Sequence, residues 1–113
     1  MTERFILANG EIVRASGEVI ELTAGEAVIL GGLWKHRGYY ISRSRQATWL
    51  WGARDSWPDA WDSCISVHHS HLRHKTTKCS FTIEHKTDYG DQFRGELTVD
   101  SEDPHPTINH IGD

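Results

Sequence analysis

Cys64, His68 and His71 fall at i, i+4 and i+7 of a single run, with His74, Cys79 and His85 close behind in sequence. Thiolate and imidazole are ligands that zinc favours. The same run, Ile65-Ser66-Val67-His68-His69-Ser70-His71-Leu72-Arg73-His74-Lys75, is also dense in hydroxyls, imidazoles and cations that can bond to phosphates and base edges. The Cys/His spacing matches none of the usual zinc modules and includes positions that a helix would bury, so no metal ligand is assigned and a metal domain stays an alternative. A Gly-rich phosphate cradle and a nucleophile elbow are both missing, so no catalytic residue is assigned and the chain is not expected to be an enzyme. No cofactor is implied.

Ile65 and Leu72, with residue 68 or 69 between them, keep the spacing of a helix with one buried stripe. The expected object is a helix with its back in a core and a basic, hydrogen-bonding front. The net charge of −4 conceals an asymmetry that suits such a front. From Trp34 to Thr87 nine Lys/Arg face four acids, whereas the remaining segments hold three Lys/Arg and twelve acids. A basic working face on an acidic body steers toward phosphate more than the total charge suggests.

The 113 residues, 37% apolar, suit one compact domain burying about 65% of its unfolded surface. No run approaches about 18 apolar residues and the N-terminus lacks a signal-peptide pattern, so a cytoplasmic protein without a membrane partner is expected. Cys64 and Cys79 are then read as free thiols.

The elements that must position the basic helix are legible in order. Phe5–Ala8, Asn9-Gly10 and Glu11–Arg14 read as a hairpin with a two-residue turn, and Glu18–Leu22 as a third strand. Thr23-Ala24-Gly25-Glu26 is a capping box, predicting a helix from Ala24 that Gly38 ends. Gly31-Gly32 inside it costs on the order of 1 kcal/mol each against Ala, so tertiary packing must hold it. Tyr39-Tyr40-Ile41 reads as an extended link, Ser42 as the cap of a second helix that Gly52 stops, and Ala53–Ala60 as a loop. A third helix is predicted from residues 59–61 to Lys75. Ser80–Lys86, a turn at Asp88–Asp91 and Gln92–Arg94 form a closing hairpin. Residues 96–113, acidic and carrying Pro104 and Pro106, read as a flexible tail to a domain spanning 1–95.

A sheet, three helices and a terminal hairpin, in that order, resemble the OmpR/PhoB-type winged helix-turn-helix DNA-binding domain. The matching residues are Leu22-Thr23-x-x-Glu26 with Ile29-Leu30 and Leu33, His36-x-Gly38-x-x-Ile41-Ser42-Arg43, Trp51-Gly52, and Val67-His68-x-Ser70-x-Leu72-Arg73-x-Lys75 before the Ile83 strand. The resemblance implies an α+β fold with the third helix in the major groove of double-stranded DNA and a wing on the minor groove. It places Ser63, Ser66, Val67, Ser70, His71 and His74 toward bases. His68, Arg73 and Lys75 are placed toward the backbone, as are Arg43 and Arg45 at the start of helix two. Lys78, His85, Lys86 and Thr87 belong to the wing. No receiver domain precedes Phe5, so a stand-alone bacterial or phage transcription regulator is expected. In such domains the loop between helices two and three can touch RNA polymerase, and pairing as a homodimer on DNA is a common arrangement.

Several residues depart from the family pattern. His69 stands where a buried Ile is usual, Gln46 and Thr76 where Leu is, and His71 where Arg is common; a core imidazole needs a hydrogen-bond partner. Asp88 and Asp91, expected at the wing tip, would repel phosphate. A winged-helix protein-interaction module is the competing reading. It rests on five tryptophans (34, 49, 51, 57, 61) around helix two and the following loop, with Trp57 beside Pro58 the one expected to be exposed.

Overall fold

The computed structural model describes residues 2–100. Three short strands open the chain: β1 (Arg4–Ile6), β2 (Glu11–Val13) and β3 (Val19–Glu21). They pair antiparallel in sequence, with Phe5 opposite Ile12 and Ile12 opposite Ile20. The connection between β1 and β2 is four residues long, Leu7–Gly10, rather than the expected two. The Ile6 carbonyl accepts from Asn9 and Gly10 N–H at 3.1 and 3.0 Å, which turns the chain and ends the β1–β2 ladder at Ile6, and only Gly10 of this loop has positive φ (67°).

Asp100 belongs to β6 (Thr98–Asp100), which runs parallel to β1 and completes a sheet in the order β3-β2-β1-β6. The expected boundary at residue 95 therefore falls too early. Leu97 is buried, and its carbonyl accepts from Trp34 Nε1 at 3.0 Å. Apolar residues at 97 and 99 within an acidic stretch are enough to return the chain to the sheet. The rest of the expected tail, residues 101–113, lies outside the described residues.

Helix α1 (Ala24–Lys35) starts as its capping box dictates, with Thr23 Oγ1 accepting from Glu26 N at 3.2 Å and Glu26 Oε1 accepting from Thr23 N at 3.0 Å. It buries Ile29, Leu30 and Leu33. Gly32 faces the Trp49 indole of α2 (Arg43–Trp51), where an added Cβ would lie 2.5 Å from the ring. The glycine that weakens α1 as an isolated helix is what lets α2 pack against it. Ser42 caps α2 through Arg45 N at 3.2 Å, and Gly52, with φ of 79°, ends it.

Helix α3 (Trp61–Lys75) follows a short 3-10 turn at Arg54–Ser56. It buries Ile65, His69 and Leu72. The wing is β4 (Phe81–Lys86) and β5 (Gly90–Gly95), with Phe81 and Phe93 stacked at 5.2 Å beneath it. Its turn is Thr87-Asp88-Tyr89, one residue earlier than expected, with Asp88 at φ 73°. That shift moves Asp91 into the ladder opposite His85. Ile41 is more than a link: it exchanges two backbone hydrogen bonds with Asp91, at 2.8 and 2.9 Å, along the edge of the wing. Gly90 is required there, since a Cβ would collide with the Ile41 carbonyl.

Candidate nucleic-acid interface

One face of α3 is largely open to solvent among the described residues. Ser63, Ser66, Val67, Ser70, His71, Arg73 and His74 are exposed along it, and Val67 keeps 51% of its surface in solvent. The side chains of Ser63, Ser70, Arg73 and His74 make no hydrogen bond or ion pair among the described residues. Between the C-terminal half of α3 and β4 runs a cleft of about 540 Å³, lined by Ser70, Arg73, His74, Thr77 and Thr82 over Phe81 and Ile83. Hydroxyls, an imidazole and a guanidinium along a groove between helix and wing form a surface able to bond to phosphates and base edges.

The basic residues named from the sequence divide into free and engaged groups. Arg45 on α2 and Lys78 after α3 are exposed, with no side-chain partner among the described residues. Lys75 is engaged: its Nζ donates to Glu26 Oε1 at 2.7 Å and to the Glu21 carbonyl at 3.1 Å. Glu26 is fully buried. Burial opposes its charge, but the Lys75 bond and the Thr23 amide hold its carboxyl below the ordinary value. The second Glu26 oxygen has no hydrogen-bond partner and lies 3.7 Å from His71 Nδ1, so this predicted base contact also faces an acid on α1. The His68 ring packs against Gly25, where a Cβ would come within 2.5 Å of it.

Arg43 is engaged as well, within a buried polar cluster. Asp91 is fully buried, and its Oδ2 accepts from Arg43 Nε at 2.7 Å and from Gln46 Nε2 at 2.9 Å. Its Oδ1 lies 3.0 Å from His85 Nδ1. Gln46 Nε2 also donates to the Ile41 carbonyl, and Gln46 Oε1 is 2.6 Å from His69 Nε2. His69 thus has the partner that a core imidazole needs. Burial pushes it down to about pKa 4, only partly opposed by Asp91, so the ring is neutral near pH 7 and donates from Nε2 to Gln46. Burial likewise disfavours the Asp91 carboxylate, but the bonds from Arg43 and Gln46 hold it below the ordinary value. The expectation that Asp91 repels phosphate at the wing tip is therefore corrected: its charge is turned inward and matched by Arg43. Asp88 remains exposed in the turn.

The wing carries residues that the sequence did not single out. Tyr40 donates to Glu84 Oε1 at 2.8 Å, which raises the tyrosine's pKa, and Arg94 donates to the same oxygen at 3.0 Å. Lys86 Nζ sits 4.6 Å from the Tyr89 ring centre and 5.7 Å from that of Tyr40, while Thr87 is exposed beside it. The alternation of Thr82, Glu84 and Lys86 on the outward face of β4 was a signal that could have been read.

Trp57 is not the exposed tryptophan expected. It is half-buried, tilted against Trp61 at 5.0 Å, and donates from Nε1 to the Gly52 carbonyl at 2.9 Å. Arg54 lies over its ring at 4.7 Å. The large hydrophobic side chain most open to solvent among the described residues is Tyr39, at 73%. Cys64 and Cys79 are free thiols, and burial pushes Cys79 up to about pKa 11. Among the described residues no three His, Cys, Asp or Glu side chains converge as a metal site, so the Cys64/His68/His71 stripe is not gathered into one. No helix among them is long and apolar enough to cross a membrane.

No protein-family model and no curated protein matches the sequence. Among solved structures, the chain is similar to the DNA-binding domain of Bacillus subtilis CssR, with 22% identity and a TM-score of 0.70, covering 81% of this chain and 99% of that one. It is also similar to the Klebsiella pneumoniae RstA DNA-binding domain in complex with the RstA box, with 21% identity and a TM-score of 0.57, covering 75% and 91%. Three helices between a small sheet and a hairpin, matched over most of the chain, give this protein the winged-helix fold of the OmpR/PhoB-type DNA-binding domains.

Proposed function

We propose that the protein binds double-stranded DNA sequence-specifically, as a stand-alone transcription regulator in the cytoplasm of a bacterium or during phage growth. The supporting observation is the front of α3, where the side chains of Ser63, Ser70, Arg73 and His74 have no partner among the described residues and the last three open onto the cleft beside the wing. Helix α3 enters the major groove, and the wing, with Lys86 and Thr87 at its turn, meets the minor groove. Arg45 and Lys78 fix register on phosphates. Binding involves no chemical step: occupancy blocks or recruits RNA polymerase, and a second copy on an adjacent site gives a homodimer on DNA.

Phosphate contact and intramolecular pairing predict different behaviour for two cations on the same helix. Arg73→Ala weakens binding across sequences and lowers the slope of log affinity against log salt by about 1. Lys75→Ala instead destabilises the fold by about 1–3 kcal/mol, because it leaves Glu26 buried without its cation. Selection of bound duplexes from a random library with the full chain, followed by salt titration of both variants, tests the reading. Failure to enrich any site, together with affinity that ignores salt, overturns it.

A further inference from the structure

The buried cluster around Asp91 reaches the exposed front of α3 at one atom. Arg43 donates from Nε to Asp91 at 2.7 Å and from Nη1 to Ser66 Oγ at 2.9 Å. The same Nη1 lies 3.9 Å from Asp62 on the preceding turn of α3. Arg43 therefore spans from the wing strand β5 to the middle of the helix face, and Asp91, fully buried and held also by Gln46 and His85, fixes its position. A free serine hydroxyl both donates and accepts, so by itself it reads no particular base. With a guanidinium N–H already occupying one lone pair of Ser66 Oγ, the hydroxyl proton cannot point at Arg43 and is left to donate to another acceptor.

We propose that Asp91 and Arg43 act as positioning residues that fix the Ser66 hydroxyl as a hydrogen-bond donor, making Ser66 a specificity-determining contact for a base-edge acceptor in the major groove. The acceptors available there are purine N7, guanine O6 and thymine O4, whereas the amino groups of adenine and cytosine present donors. The inference rests on the DNA-binding reading and goes beyond it, since it assigns a polarity to one contact and links that polarity to a buried carboxylate in the wing.

The test compares bound-duplex selection for the full chain with Ser66→Ala, Arg43→Lys and Asp91→Asn, each first checked for folding by circular dichroism. The wild type should enrich a site in which one base pair loses about tenfold of its preference in Ser66→Ala, the other positions being unchanged. Arg43→Lys and Asp91→Asn should lose preference at that same base pair. Ser66 is exposed, so its variant folds and decides the matter even where Asp91→Asn does not. An enriched wild-type site whose preferences are identical in Ser66→Ala overturns the inference while leaving the DNA-binding reading intact. Uniform weakening in folded Arg43→Lys, without a change at the Ser66 base pair, also overturns it. A wild type that enriches nothing overturns both.

Discussion

His69 illustrates how a single polar residue is carried in a core. Its ring is about 1% exposed and bonded to Gln46, with its native pKa held near 4 against about 6.5 in an unfolded chain. As pH falls from 6.5 toward 4 the unfolded chain takes up a proton at this position and the native chain does not. Stability is therefore complete above 6.5 and declines with acid, by up to about 3 kcal/mol across that window. Asp91 and Glu26, whose carboxyls are held below their ordinary values, contribute stability that is lost only at lower pH. His69→Leu should be less stable near neutrality by about 1–3 kcal/mol, because Gln46 Oε1 is left without a partner, yet should show a flatter decline in the same window. Urea titrations over that range check this, and parallel declines in both proteins would exclude His69 as the source.

Between elements, the two adjacent glycines of α1 make opposite predictions from the same local chemistry. Replacement of either by Ala favours the isolated helix by about 1 kcal/mol. At Gly31 the new methyl would meet Leu7 Cδ1 at 3.4 Å, an ordinary contact, so the variant should be neutral or more stable. At Gly32 it would press on three atoms of the Trp49 indole, the nearest at 2.5 Å, in a ring that also stacks on His36 at 5.8 Å. Gly32→Ala should then lose about 1–3 kcal/mol through displacement of α2 from α1. Thermal unfolding of the two variants gives shifts of opposite sign if the α1–α2 packing sets the balance; matching shifts would mean that propensity does.

Across the whole molecule, the domain is closed by its last described strand. β6 lies parallel to β1, Thr98 N–H donates to the Glu3 carbonyl at 3.0 Å, and Leu97 seals the core next to Trp34. Leu97→Ala should cost about 2–3 kcal/mol, a core truncation rather than a change in a loose tail. Chemical denaturation measures it, and a loss within about 0.5 kcal/mol of wild type would restore the boundary at residue 95. The charge asymmetry acts at this scale too. Of the cations on the basic segment, Arg43 and Lys75 are neutralised internally, so the positive field at the α3 face comes from Arg45, Arg73, Lys78 and the wing.

The sequence by itself determined what is encoded within a few residues. The Thr23 capping box, the Ser42 cap, the stop at Gly52 and the period of Ile65 and Leu72 set the helices and the two faces of α3, and the order of elements set the fold. What it could not determine is which charged groups meet across long separations. Arg43 and Asp91 are 48 residues apart, and Lys75 and Glu26 are 49 apart. A lysine or arginine on a helical front reads the same whether its partner is solvent, a phosphate or a buried carboxylate. Only the packing of α1, α2, α3 and the wing against one another decided that, among the described residues, the Arg73 side chain has no partner and that of Arg43 does. The same packing joined Gln46, His69 and Asp91 into one hydrogen-bonded cluster, with His69 Nδ1 left without a partner among the described residues.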